Sequence, residues 1–189
     1  MARPAGPGRE ALLRAGLHVA QERGLTGMSV NAVVEAAGMS KGNFYQHFTD
    51  RRDFLRALHR LYHDEAERRL AAAVGHLPPG RRRLIQGITF HLDMCLETRA
   101  TRAMLVQART DADLFDEMRA RNDRTAALVV DDLAAIGWDP PEPVARMMVT
   151  MVGDVSLEEL FDGHRRDDLR DAFFRLLLRE PTRSTLTTR

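Results

Sequence analysis

The stretch SVNAVVEAAGMSKGNFYQHF, Ser29–Phe48, reads as two short helices joined by a tight turn. Ser29 is a helix N-cap, because its hydroxyl can accept from an orphan backbone N–H in the turn that follows. Val30, Val33, Val34 and Ala37 recur at three- and four-residue spacing, so they line one helix face that must pack on neighbours. Gly38 ends that helix, since a left-handed C-cap carries no steric penalty at glycine. Met39 plugs the corner, and Ser40 caps the next helix two residues later. In that second helix Phe44 and Phe48, four apart, turn back to a core. Lys41, Asn43, Tyr45, Gln46 and His47 leave donors and charge on the outer face, which suits phosphates and base edges. The pattern is a helix-turn-helix.

Outward from this segment the chain is punctuated for helices throughout. A first helix is expected from Arg9 to Arg23, with Leu12, Leu13, Gly16, Leu17, Val19 and Ala20 inward, after an arm at 1–8 rich in Gly, Pro and Arg. A fourth follows Asp50 and runs to Val74, with Phe54, Leu55, Leu58, Leu61, Tyr62 and Leu70 as its dry stripe. A helix of that length can join two domains. Gly75 and Leu77-Pro78-Pro79-Gly80 break the pattern. Further helices are expected at 81–96, 101–109, 112–136, 143–161 and 166–179, with breaks at Gly137–Pro141 and Gly163. No segment alternates as a strand would. The expected fold is all-α: a three-helix DNA-binding domain at 9–55, a helical body at 56–180, and a polar, unstructured tail at 181–189.

Composition sets outer bounds. Hydrophobic content of 44% and charged content of 29% are those of a soluble globular protein. No apolar run reaches the length of a membrane span, and the N-terminus has no apolar core for a signal peptide, so the expectation is a cytoplasmic protein with no membrane partner. Cys95 is the single cysteine and reads as a small buried hydrophobe. Net charge is only +1, yet residues 1–52 hold seven Lys or Arg against four Asp or Glu, so the basic end is the one with the helix-turn-helix. Lys41 is the only lysine of the chain and opens its second short helix.

The string Gly38-Met-Ser-Lys-Gly-Asn-Phe-Tyr-Gln-His-Phe48, on a helix-turn-helix this near the N-terminus, resembles the DNA-binding domain of the TetR family of transcriptional regulators. The resemblance is close from Leu12 to Leu55, and the first helix ends in Glu22-Arg23-Gly24 as the family pattern expects. Arg51 and Phe54 stand where the family has lysine and leucine, and Ala20 where a bulky aromatic is usual. Arginine keeps the charge at 51 as a planar fork, and the space left at Ala20 falls to Met28 or Met39 to fill.

The resemblance implies a DNA-contacting set of Ser29, Ser40, Lys41, Gly42, Asn43, Tyr45, Gln46, His47, Thr49 and Arg51. Gly42 lets the backbone approach DNA, which brings Lys41 and Asn43 to base edges or nearby phosphates. Tyr45 and His47 hold phosphates, with Ser29, Thr49 or Arg51 helping. The two C-terminal helices are expected to pair with their copies in a homodimer through Met148, Val152, Val155, Leu169, Phe173, Leu176 and Leu177. A cavity for a small-molecule effector is implied in the body. Met94, Met104, Met147 and Met151 suit a bulky apolar ligand, and His91, Gln107, Asn122, Thr125 and Thr150 are polar enough to orient one. The implied function is a repressor bound to a palindromic operator and released when the effector moves the fourth helix. No cofactor is expected.

Two rival classes have less footing in the residues. A metal-responsive regulator would use His59, His63 and Glu67, at i, i+4 and i+8 on the fourth helix, with His91 and Cys95 as a second i, i+4 pair. A solvated helix face is the ordinary reading of such spacing. An enzyme finds little support: His91 and Asp93, two apart on a helix, diverge. A Gly-rich phosphate loop and His-Glu-x-x-His are missing from the sequence.

Overall fold

The computed structural model describes residues 6–24, 27–111 and 114–178. Among these residues all regular structure is helical, in the order α1 (Pro7–Arg23), α2 (Val30–Ala36), α3 (Lys41–His47), α4 (Arg51–Val74), α5 (Arg81–Glu97), α6 (Arg99–Asp111), α7 (Phe115–Ala135), α8 (Pro141–Asp162) and α9 (Asp167–Leu177). Helix starts and stops follow local chemistry. Pro7 lies at the start of α1, where its missing N–H is one the helix would not use. Two residues of the expected N-terminal arm are therefore helical. At the other boundaries the sequence periodicity and the observed helices agree within a few residues.

The chain packs as two compact units, Met1–Arg69 with Glu97–Asp116, and Leu70–Leu96 with Glu117–Arg189. In the first, Leu12, Val19, Ala20, Val33, Phe44, Phe48, Phe54, Leu55 and Leu58 are buried. Three phenylalanines form its centre, with Phe44 to Phe48 at 5.2 Å, Phe44 to Phe54 at 5.4 Å and Phe48 to Phe54 at 5.1 Å between ring centroids. Gly16 makes room for this cluster, because a Cβ there would fall 2.5 Å from Phe54 Cζ. Ala20 is fully buried and Met28 almost so, whereas Met39 is half-buried. The deeper of the two candidate fillers is thus Met28.

The second unit packs Leu84, Ile88 and Leu92 of α5, Ala126 and Leu133 of α7, Ala145, Met148 and Val152 of α8, and Phe173 and Leu177 of α9 into one core. That core encloses charge. Arg170, 2% exposed, donates from Nε to Glu159 Oε1 at 2.6 Å and from Nη2 to Glu159 Oε2 at 2.9 Å, and a third hydrogen bond reaches Asp93. Glu159 is itself 1% exposed and also accepts from the Arg166 N–H at 3.0 Å. The fork geometry satisfies both carboxylate oxygens, which is what a buried pair needs to offset its desolvation. Asp132, also buried, accepts from Gly80 N–H at 2.7 Å and from Arg83 Nε at 2.8 Å, fixing the start of α5 against α7.

Four of the residues expected at a subunit interface, Met148, Val152, Phe173 and Leu177, belong to this core of their own chain. They lie on the faces of α8 and α9 turned to α5 and α7, where their apolar area is already removed from water. Val155 and Leu169 are half-buried, and Leu176 is 54% exposed. Large apolar side chains left in solvent on these two helices are Met147 at 65%, Phe161 at 72% and Leu176.

Candidate nucleic-acid interface

The helix-turn-helix is built by three caps. Ser29 Oγ accepts from Ala32 N–H at 3.1 Å and opens α2. At its end Gly38, with φ +63°, takes the left-handed conformation, and Gly38 and Met39 donate to the carbonyls of Glu35 and Val34 at 3.1 and 2.8 Å. Ser40 then opens α3 with a reciprocal cap: its Oγ accepts from Asn43 N–H at 3.3 Å, and Asn43 Oδ1 accepts from Ser40 N–H at 3.2 Å. Ser40 Oγ–H also donates to Asn43 Oδ1 at 2.6 Å. The cap occupies the oxygen of Asn43, so the amide nitrogen is the donor it offers outward.

Phe44, fully buried, and Phe48 anchor α3 to the aromatic core. Everything from Lys41 to Gln46 except Phe44 faces out: Lys41, Gly42, Asn43, Tyr45 and Gln46 are exposed. Tyr45 is 57% exposed and rests edge-on against Phe44 with ring centroids 5.4 Å apart, which holds its ring while leaving the hydroxyl in solvent. Gly42 is helical, and a Cβ built there would meet only Ser40 Oγ, at an ordinary 3.5 Å. Nothing within the protein requires glycine at this position.

The flanking residues are more engaged. His47 is half-buried, and the α1 backbone passes so close that a Cβ on Gly8 would lie 2.8 Å from His47 Nε2. Arg51 donates from Nε to the Met28 carbonyl at 2.9 Å, so part of its fork positions the segment leading into α2. Thr49 N–H donates to Asp53 Oδ2 at 3.0 Å and Asp53 N–H to Asp50 Oδ1 at 2.8 Å, an acidic cap that fixes the start of α4 directly after α3. Sequence reading did not single out Arg9, whose guanidinium lies 5.1 Å from the Phe48 ring centroid, or the exposed Arg52 in the first turn of α4. Arg52 carried a legible signal, being a cation beside Arg51; Arg9 carried none, because its partner is 39 positions away.

The residues expected around an effector do not share one environment. Met94 is buried; His91, Asn122, Thr125 and Met151 are half-buried; Met147 and Thr150 are exposed. Thr150 Oγ1 donates to the Arg146 carbonyl of its own helix at 3.1 Å, and His91 Nε2 lies 3.6 Å from Cys95 Sγ. The side chains of Met104 and Gln107 lie outside the described residues. Among the described residues no three His, Cys, Asp or Glu side chains gather to hold a metal ion. His59 is buried, with its ring centroid 4.4 Å from that of His63, while Glu67 is half-buried a further turn along.

An all-helical chain whose seven-residue α3 projects donors and a lysine from a capped helix-turn-helix is a DNA-binding protein of the helix-turn-helix class. Comparison with known proteins gives the family. Residues 12–58 match the model for bacterial regulatory proteins, tetR family. A putative TetR-family transcriptional regulator from Rhodococcus sp. is 26% identical, with 91% of this chain and 97% of that one covered and a TM-score of 0.69. A transcriptional regulator from Rhodococcus sp. RHA1 shares the fold at a TM-score of 0.74 and 21% identity, covering 91% and 94% of the two chains. The fatty acid degradation regulator FadR from Bacillus halodurans does so at 0.72 and 17%, covering 99% and 100%. No curated protein matches the sequence. Residues 12–58 are a tetR-type DNA-binding domain, and the chain as a whole shares its helical fold with solved transcriptional regulators. No described helix is long and apolar enough to cross a membrane.

Proposed function

We propose that this protein is a cytoplasmic repressor that binds a palindromic operator as a homodimer and is released by a small-molecule effector. Residues 9–55 read the DNA, and residues 56–180 bind the effector and dimerise. The observation that carries the reading is the outer face of α3, where Lys41, Asn43, Tyr45 and Gln46 are exposed around a glycine that the protein's own packing does not need. Lys41 and the Asn43 amide nitrogen meet base edges or nearby phosphates, and Tyr45 holds the backbone. A single helix of seven residues makes few contacts, so two copies reading two half-sites supply the affinity. Exposed Met147, Phe161 and Leu176 on α8 and α9 are the apolar area that a second copy would cover. Val155 and Leu169 border it, whereas the fully buried members of the sequence-derived set do not contribute.

The effector is proposed to be bulky and apolar, from the adaptable methionines of α5 and α8, of which Met94 and Met151 are at least half-buried. Ser40, the serine of the one Gly-x-Ser-x-Gly string, is the cap of α3 and not the elbow between a strand and a helix, which favours a regulator over an enzyme.

Selection from a randomised duplex library with the full chain tests the reading. The expected result is an enriched palindrome whose affinity falls steeply with salt. Lys41→Ala weakens binding and lowers the salt slope by about one, and Tyr45→Phe weakens it alike on all sequences. Unchanged binding in both variants would remove α3 as the recognition helix.

A further inference from the structure

Asn43 stands on the outer face of α3 with one side of its amide already engaged. The backbone N–H of Ser40 meets that amide at 3.2 Å, and because an N–H can only donate, the atom it meets is the oxygen, Oδ1. The Ser40 hydroxyl donates to the same oxygen at 2.6 Å, while Ser40 Oγ accepts from the Asn43 N–H at 3.3 Å. A carbonyl oxygen has two lone pairs, and two donors occupy them here. What remains for a partner is Nδ2, with two N–H donors and no acceptor beside them. Asn43 is exposed, next to the exposed Lys41 and Gly42, so these donors are open to DNA.

The reciprocal cap also holds the side chain still. Three hydrogen bonds tie Asn43 to Ser40, so its rotamer freedom is lost on folding and is not lost again on binding. An asparagine whose amide is free reads adenine, its oxygen accepting from N6–H while its nitrogen donates to N7. That pairing needs the oxygen that Ser40 holds. Cytosine presents an N4 donor to the groove, which would face the Asn43 donors with like polarity. Thymine presents one acceptor, O4, beside a methyl group that offers an amide nothing. Guanine presents two acceptors side by side, N7 and O6, and no donor.

We propose that Asn43 is a specificity-determining residue that reads guanine, donating from Nδ2 to the N7 and O6 edge, and that Ser40 is the positioning residue that denies it adenine. The assignment rests on the reading of α3 as the recognition helix. It places a G·C pair in each half-site at the position where an unconstrained asparagine would select adenine. A wrong base there leaves the donors unmatched and should cost roughly 5- to 150-fold in affinity.

The test compares selections from a randomised duplex library by the full chain as wild type, Asn43→Ala, Asn43→Asp, Ser40→Gly and Lys41→Ala. One G·C pair per half-site should lose its preference in Asn43→Ala and keep it in Lys41→Ala. Asn43→Asp keeps the shape of the side chain and an acceptor for the Ser40 N–H, but its outward atom only accepts. It should bind more weakly and select cytosine, whose N4 amino group donates, in place of guanine. Ser40→Gly, a change that N-caps tolerate, frees one lone pair of Oδ1 and should admit adenine at the same position. In the wild-type site, 7-deazaguanine at that position, which lacks the N7 acceptor, should weaken binding by the wild type and not by Asn43→Ala. A residue that merely caps α3 would change affinity on all sequences alike and leave base preference unmoved. An enriched site with no G·C pair that depends on Asn43, or guanine retained by Asn43→Asp, would overturn the assignment and leave the operator reading intact. No enriched site with the wild type would overturn both.

Discussion

Gly42→Ala separates what the fold asks of α3 from what DNA asks of it. The residue is helical and exposed, and a Cβ there meets only Ser40 Oγ at 3.5 Å. Glycine within a helix is about 0.5–1 kcal/mol less favourable than alanine, so the substitution should leave the folded chain as stable as before or more stable by up to that amount. Bound to DNA, the same methyl group would stand between the helix backbone and the groove. If the backbone approaches closely enough to bring Lys41 and Asn43 to their partners, displacing it forfeits the equivalent of one good base contact, about 1–3 kcal/mol or roughly 5- to 150-fold in affinity. Because no charge is removed, the salt dependence of binding should keep its slope, in contrast to Lys41→Ala. Urea unfolding followed by circular dichroism gives the first quantity. Fluorescence anisotropy of a labelled operator at several salt concentrations gives the second. A variant that folds normally and binds within about twofold of wild type would refute the close approach of α3. A destabilised variant would refute the geometry at Gly42 itself.

Three further outcomes follow from the packing. Gly16→Ala should destabilise the chain by about 1–3 kcal/mol in urea unfolding, because the new Cβ would lie 2.5 Å from a Phe54 ring that Phe44 and Phe48 prevent from retreating. Arg170→Met strands the buried Glu159 carboxylate and should cost about 3–5 kcal/mol, while the double variant Arg170→Met with Glu159→Leu should recover most of it; a double variant no better than the single one would mean that the pair is not the cause. The Asp168 carboxyl is lowered from 3.8 to about 2, chiefly by its hydrogen bond from Arg166. The contribution of this fully exposed group is therefore present above pH 3.8 and lost as pH falls through about 2. Carbon-detected titration of its carboxyl should show that midpoint, and Arg166→Gln should move it back up toward the ordinary value.

Helix order and the helix-turn-helix were legible in the sequence because their signals act within four or five residues. Ser29 and Ser40 cap their own first turns, Gly38 supplies the left-handed residue that stops α2, and apolar spacing marks the faces that must be buried. The same local rules separated Phe44 and Phe48 from the exposed residues of α3. Periodicity shows that a residue faces a core, but it cannot say which core. Met148, Val152, Phe173 and Leu177 had the pattern of an interface, and only the positions of α5 and α7 decided that their own chain buries them.

Long-range partners decided the rest. The fork of Arg51 reaches a carbonyl 23 residues earlier, and Arg170 sits on an apolar stripe where sequence alone would disfavour a cation. Its burial is tolerable because Glu159 from α8 and Asp93 from α5 converge on it. Residues 97–116 join the unit of α1 to α4 despite lying beyond the chain's first obvious break. The sequence by itself determined where helices begin and end, to within a few residues, and which face of α3 is exposed, because those depend on neighbouring residues. The tertiary structure alone decided which apolar faces stay exposed and which charges are buried in pairs, because those depend on groups that only folding brings together.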